Sequence, residues 1–211
     1  MDAAADRGRL RHPERVVVVS GPSGVGKNTV AQRLFEEGRA VRAVTATSRA
    51  PKAGEVDGID YLFISEDEFR RWIGEGRFIE HAQYVGNYYG TPLAAVNEAA
   101  ESGLPVLLTI EVDGGLQVKD GWPEATLIFL LPPSEEDLVR RLQSRGRDAA
   151  QAIEKRLARA REELTYAEKY DYRVVNDDLD RAVAEVAAIL ADRAAGRPDD
   201  GAAGPGLGGE G

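Results

Sequence analysis

The sequence predicts an α/β protein: a parallel sheet covered by helices on both faces, three layers deep, with a smaller α+β lobe inserted into it. Three observations carry that expectation. Short β-branched and apolar runs alternate with helical patterns along most of the chain. A glycine-rich loop, GPSGVGKNT at 21–29, joins the first apolar run to the first helical pattern. Residues from about 45 to 91 break the rhythm with short strand candidates, one helix and many polar side chains.

Residues 1–14 are charged and Ala-rich and read as a flexible arm. Residues 16–20, VVVVS, are the run expected of a parallel strand buried on both faces. After the loop, 28–37 reads as a helix with Val30, Leu34 and Phe35 as its apolar residues and Gly38 near its end. Within the lobe, YLFI and FIEHAQY are strand candidates. The helix EDEFRRWIGEG lies between them, with Phe69 and Trp72 as packing residues. Two more buried strands follow at 104–110 and 127–131, with Trp122 as a loop cover between them. A fourth is YRVVN at 172–176. Helices are expected at about 134–145, 149–169 and 179–193. From Ala194 the chain is Gly, Pro, Ala and Asp with little to bury, and is expected to be disordered. The folded part is therefore 15–193, without an internal repeat.

A chain of 211 residues is ample for one core. Its formal charge of −9 gives no non-specific affinity for nucleic acid or anionic membrane, so any bound anion needs a local cluster of donors. The absence of cysteine excludes disulfides and thiolate metal sites, and two distant histidines, His12 and His81, do not make a zinc site. No apolar run approaches the roughly 20 residues that cross a bilayer. The first residues lack the apolar core of a secretory signal, so the expected compartment is the cytoplasm.

The loop is the first chemical signal. Gly21, Gly24 and Gly26 let the backbone through Pro22, Ser23 and Val25 curl so that its N–H groups point inward. The helix that follows adds the positive end of its dipole, and Lys27 adds a full charge for β- and γ-phosphates. The pattern departs at its last step. Asn28 stands where a Ser or Thr hydroxyl usually holds Mg²⁺, and Thr29 comes one residue later. Such loops serve GTPases, ATPases, kinases and motors alike, so the loop alone names no reaction.

Three further stretches do. SRAPKAGEVDGIDYLFIS (48–65), GRFIEHAQYVGNYYGTP (76–92) and LPPSEEDLVRRLQSRG (131–146), together with the loop, closely resemble guanylate kinases. The resemblance runs from about residue 16 to 190, in family order and spacing. It implies a P-loop core, a GMP-binding lobe at about 45–91, a helical lid at about 140–160, and the reaction ATP + GMP → ADP + GDP, with dGMP as a further acceptor. Mg²⁺ is implied as the companion of ATP.

Residue by residue, the resemblance gives Arg49 to the GMP phosphate, where a planar fork can bind two oxygens. Lys52 falls at a second arginine of the family and keeps the charge without the fork, while Tyr61 and Tyr89 offer hydroxyls. Guanine presents N1–H and an amino group as donors and O6 as acceptor. A reader therefore wants carboxylates opposite the donors and a hydroxyl near O6. Glu80 and Glu111 match the family's two base-reading acids, and Thr45 and Thr91 its hydroxyls. AMP would leave those acids unpaired, and such a site rejects an analogue by roughly 10⁴-fold. Phosphoryl transfer needs positive charge around the moving group. Arg141 and Arg156 match arginines that neutralise it, Arg145 one that covers the adenine or its phosphates, and Asn176 an adenine-edge contact.

Besides Asn28, the chain departs from the family at Thr109, where an acid that helps hold Mg²⁺ is usual, and at Asp113, usually Gln. Three readings follow: a metal held mainly by nucleotide phosphates and water, with Asn28 as a weak ligand; shifted metal contacts with weakened activity; or nucleotide binding without efficient transfer. The lid arginines and the nearly complete GMP constellation favour the first. Competing readings are a kinase of another nucleoside monophosphate, which the Glu80–Glu111 pair disfavours, and a nucleotide-binding module that has lost transfer, which the retained Lys27, Arg49, Arg141 and Arg156 disfavour. A regulatory GTPase lacks support because no N-K-x-D-type guanine reader is present. The sequence leaves the oligomeric state open.

Overall fold

The computed structural model describes residues 8–144 and 150–195. Strand β1 (Val16–Ser20) is buried at every position because it has a parallel neighbour on each side. One neighbour is β6 (Val106–Thr109) and the other is β7 (Thr126–Leu131), which in turn pairs with β8 (Tyr172–Val175). The order β6-β1-β7-β8 is parallel throughout, as alternating strands and helices require.

Two apolar layers cover this sheet. On one face α1 (Lys27–Glu36) and α7 (Leu179–Ala194) bury Val30, Leu34, Val183, Val186 and Leu190 against Val17, Val19, Leu107 and Ile128. On the other, α3 (Leu93–Ala100) and α4 (Val112–Gly121) pack with Tyr170 against Val16, Val18, Leu108 and Phe129. The alternation of Val16 and Val18 with Val17 and Val19 between the two clusters is the period-2 geometry of a strand.

The inserted lobe has its own sheet, in the order β3-β2-β5-β4. It comprises β2 (Ala46–Thr47), β3 (Leu62–Phe63), β4 (Phe78–Tyr84) and β5 (Asn87–Pro92). Helix α2 (Glu66–Gly74) lies against it and starts where Ser65 Oγ accepts the Glu68 N–H. Phe69, Trp72 and Phe78 form the lobe's core, with Phe69 stacked on Phe78 at 4.4 Å, as expected from the sequence. The lobe meets the sheet domain where β4 runs beside α4. There Gln117 Oε1 accepts the His81 N–H at 3.4 Å, and Gln117 Nε2 lies 3.5 Å from His81 O.

Helices α5 (Glu135–Ser144) and α6 (Ala150–Leu164) follow β7 and pack on each other through Leu138, Leu157 and Ala160. They span the region expected as a lid. The structure departs from the sequence expectation at the N-terminal arm. Leu10 is buried, the Arg11 N–H donates to Asn97 Oδ1 at 2.8 Å, and Asn97 Nδ2 donates to Arg9 O at 2.9 Å. From residue 9 the arm is thus docked on α3 by a buried amide that the sequence did not flag as a partner. Residues 1–7 and 196–211, including most of the expected tail, lie outside the described residues.

Candidate functional site

Four segments converge at the C-terminal ends of the core strands: the glycine loop after β1, residues 109–112 after β6, the β4–β5 edge of the lobe, and α5–α6. Open parallel sheets hold ligands at this end.

The loop is shaped for a phosphate. Gly26 adopts a left-handed φ of 104°, and a Cβ there would lie 2.5 Å from Asn176 Nδ2. Helix α1 begins at this glycine without a side-chain cap, unlike α2 and α7, whose caps are Ser65 and Asp178. Its first N–H groups are left for a ligand. Lys27 Nζ, largely buried, donates to Gly21 O at 2.6 Å and lies 4.0 Å from Glu111 Oε1. Ser23, Asn28 and Thr29 are exposed, and Gly21, Pro22 and Val25 are buried beneath the curl.

Asn176, expected at an adenine edge, lies under the loop. It is 6% exposed, and its Nδ2 donates to Val25 O at 2.7 Å. Its amide supports the loop from below. Arg141 reaches the same place from α5, donating to Val25 O at 3.2 Å and to Asn176 O at 2.8 Å. Arg156 is exposed on α6, and Arg145 lies outside the described residues.

The lobe gathers the expected phosphate donors. Thr47 pairs across the sheet with Tyr89, which sets Tyr89 beside Arg49. The Arg49 guanidinium lies 5.4 Å from the Tyr61 ring centre, and the Tyr61 and Tyr89 rings meet edge-on at 6.3 Å. Both nitrogens of the Arg49 fork donate to Glu55, each at 2.9 Å. This bidentate bond holds the Glu55 carboxyl below its ordinary value and raises Arg49. Glu55 was not singled out from the sequence, although its place three residues after Lys52 in KAGE marked it as a local counter-charge. Lys52 contributes its backbone N–H to Glu55 at 2.7 Å and is exposed.

The two carboxylates expected to read a base come from different sheets. Glu80 on β4 stands opposite Thr91 on β5, and Thr91 Oγ1 donates to Glu80 Oε1 at 2.6 Å. Glu80 is 7% exposed, and burial pushes its carboxyl up while the Thr91 bonds pull it down. Glu111 is the exposed N-cap residue of α4. Two glycines let α4 sit close to its neighbours, one against Glu80 and one against Tyr170. A Cβ on Gly114 would lie 3.1 Å from Glu80 Oε2. One on Gly115 would lie 2.4 Å from Tyr170 Oη and 3.0 Å from Ser20 Oγ. Tyr170 is buried, its hydroxyl donates to Val112 O at 3.2 Å, and burial pushes its pKa up to about 12. The GG of EVDGG was the signal for this close approach. Thr45 and Thr109 are half-buried nearby, and neither brings charge.

No group of three His, Cys, Asp or Glu residues suited to a metal ion occurs among the described residues. Oxygen atoms near the loop include the Ser23 and Thr29 hydroxyls, the Asn28 amide and the Glu111 carboxylate, all on exposed residues. That set fits a Mg²⁺ ion carried by nucleotide phosphates and its own waters, not an all-protein cage.

Comparison with known proteins agrees with this geometry. The sequence model of a family described as guanylate kinase matches residues 13–193. The chain is 52% identical to a guanylate kinase of Gloeobacter violaceus, over 85% of this chain and 88% of the other. It is 49% identical to one from Synechocystis, over 83% and 93% respectively. Among solved structures it is similar to a guanylate kinase from Anaplasma phagocytophilum, with a TM-score of 0.65, 33% identity, and coverage of 83% of this chain and 84% of that one.

Proposed function

The chain belongs to the guanylate kinase family, and on that premise we propose how its residues divide the transfer of a phosphoryl group from ATP to GMP. It is an ATP-dependent GMP kinase. The observation that carries the division of labour is that α4 touches both acids: Glu111 is its N-cap, 4.0 Å from Lys27, and Gly114 in its first turn lies against Glu80, where a Cβ would stand 3.1 Å from Oε2.

ATP lies with its phosphates in the 21–29 loop, where the α1 N–H groups and Lys27 receive the β- and γ-oxygens. Lys27 exchanges its bond to Gly21 O for them. Asn176 holds the loop's curl from beneath, and Arg141 spans loop and lid. GMP lies in the lobe. Its phosphate takes Arg49, Tyr61 and Tyr89, with Lys52 as a further charge, and Glu55 fixes the Arg49 fork in plane. Glu80 and Glu111 accept from N1–H and the amino group of guanine, Thr45 faces the remaining edge, and Thr91, whose hydroxyl donates to Glu80, holds that acid beside the base. The same contacts admit dGMP, since none of them involves the 2′-hydroxyl.

A GMP phosphate oxygen attacks the γ-phosphorus in line, the bond from γ-phosphorus to the β–γ bridging oxygen breaks, and ADP leaves with that electron pair. Arg141, Arg156 and Lys27 neutralise the charge on the moving group. Guanylate kinases generally need Mg²⁺, which when bound supplies charge neutralisation on the ATP phosphates; Asn28 would contribute one weak oxygen ligand. Among the described residues no helix is long and apolar enough to cross a membrane. We place the enzyme in the cytoplasm because both substrates are intracellular nucleotides.

The direct test is coupled ADP formation with ATP and Mg²⁺, offering GMP, dGMP, AMP, CMP and UMP in parallel. Turnover with GMP and dGMP alone is expected. Comparable turnover with AMP would remove the base-reading role from Glu80 and Glu111.

A further inference from the structure

Glu111 has an unusual setting for a residue that must present a carboxylate in a fixed plane. It is exposed, it makes no capping bond to its own helix, and its side chain has three rotatable bonds. Two cations flank it, one on each oxygen. Lys27 Nζ lies 4.0 Å from Oε1, and Arg159 Nη2 on α6 lies 3.9 Å from Oε2. Lys27 belongs to the phosphate loop and is drawn toward ATP when ATP binds. Arg159 is then the flanking cation that remains.

Arg159 is itself anchored. Its Nε donates to Glu163 Oε1 at 2.9 Å, one helical turn on, and Glu163 is 7% exposed. The other Glu163 oxygen is buried with no hydrogen-bond partner among the described residues. A cavity of about 350 Å³, lined by Val112, Asp113, Arg159, Glu162, Glu163 and Tyr166, opens beside the pair. Packing therefore leaves the Arg159 head room to move, and the bond to Glu163 is what aims it. An exposed ion pair at such a distance is weak when both partners are floppy. Here one partner is a rigid fork already oriented by a buried carboxylate, which removes much of the ordering cost.

We propose that Arg159, aimed by Glu163, is a positioning residue for Glu111 and thereby helps to set the preference for guanine. The inference rests on Glu111 being a base reader.

The test is a double-mutant cycle. Steady-state kinetics with GMP and with IMP, which lacks the 2-amino group, are measured for the wild type, Arg159→Ala, Glu111→Ala and the double variant, with ATP varied separately. Arg159→Ala should raise KM for GMP roughly three- to tenfold, in the lower part of the range of coupling between neighbouring residues. It should leave KM for ATP unchanged and narrow the GMP-over-IMP ratio. Arg159→Lys should recover part of the loss, and Glu163→Gln should reproduce part of it. In the Glu111→Ala background the Arg159→Ala effect should vanish.

If Glu111→Ala alone leaves the GMP-over-IMP ratio intact, the base-reading role of Glu111 fails. If Glu111→Ala changes the ratio but Arg159→Ala does not, or acts equally in both backgrounds, the positioning role of Arg159 fails by itself. Melting temperatures of all variants separate these outcomes from unfolding. Arg159→Ala leaves the buried Glu163 carboxyl without its cation. The same cycle run with Arg159→Lys, and with Arg159→Ala in a Glu163→Gln background, therefore keeps the test open if the single variant loses stability.

Discussion

Replacing Gly115 by Ala would put a methyl carbon 2.4 Å from Tyr170 Oη, 3.2 Å from Tyr170 Cζ and 3.0 Å from Ser20 Oγ. The first of these lies inside any tolerable contact. Tyr170 cannot swing away cheaply, because it is 6% exposed and its ring stands edge-on to Phe129 at 5.0 Å. Overfilling a packed site costs about 1–3 kcal/mol. Displacing the hydroxyl from Val112 O forfeits about 1 kcal/mol more. Exchanging glycine for alanine inside a helix returns about 1 kcal/mol, so the net loss is about 1–3 kcal/mol. For a chain of this size that lowers Tm by about 2–12 °C. Scanning calorimetry of Gly115→Ala, Tyr170→Phe and the double variant measures it. Removing the Tyr170 oxygen removes the nearest clash, so alanine should cost much less in the phenylalanine background. A Gly115→Ala protein as stable as the wild type, or an equal loss in both backgrounds, would refute the packing account.

The neighbouring glycine should behave differently. Gly114→Ala gains the same helix propensity but presses on Glu80 Oε2 at 3.1 Å. We expect little change in Tm, KM for GMP raised about three- to tenfold and KM for ATP unchanged, since small misplacements of a positioned group are costly. Glu80 must be ionised to accept from guanine, and its carboxyl is raised by burial. As pH falls through that raised value, kcat/KM for GMP should drop while ATP affinity stays flat. Thr91→Val removes a bond that favours the ionised form, so the acid limb of the pH profile should move to higher pH. The same shift has the opposite sign for stability. A raised carboxyl stabilises the fold most at pH below its unfolded value and loses that contribution as pH rises through the folded one, so Glu80→Gln should raise Tm more at neutral than at acid pH. Finally, Lys27→Ala should cut kcat at least about a hundredfold. The fold should survive, because Lys27 lies in the loop and outside the two apolar layers that cover the sheet.

The parts of the fold that declare themselves in sequence are those whose local chemistry agrees with their place. The VVVVS run, the glycine loop and FIEHAQY, which forms β4 over the residues expected, are of this kind. Helices α3 and α4 were not anticipated. VDGGLQVKDG contains three glycines, poor helix formers, and two of them stand where the helix passes too close to Glu80 and Tyr170 for a larger residue. LAAVNEAA follows a proline and has no capping side chain to announce it. In the site, residue types were legible but pairings were not. That Glu55 fills the Arg49 fork, that Asn176 holds the loop, and that Glu163 sits behind Arg159 all depend on strand register and helix placement, over separations from four residues to more than a hundred.

The meeting of α4 with β4 has a wider consequence. Glu80 belongs to the lobe's sheet and Glu111 to the end of a core strand, and the polar link between their supports is the amide of Gln117 on the His81 backbone. On the proposed reading the two carboxylates are the jaws of a caliper whose frame lies outside the site. A base of the right width and donor pattern registers only when lobe and core stand at the right distance. Selectivity is in this sense a dimension of the whole molecule. It can be lost by a residue that never approaches a nucleotide, and a change in the α4–β4 seam would be felt first as confusion between bases.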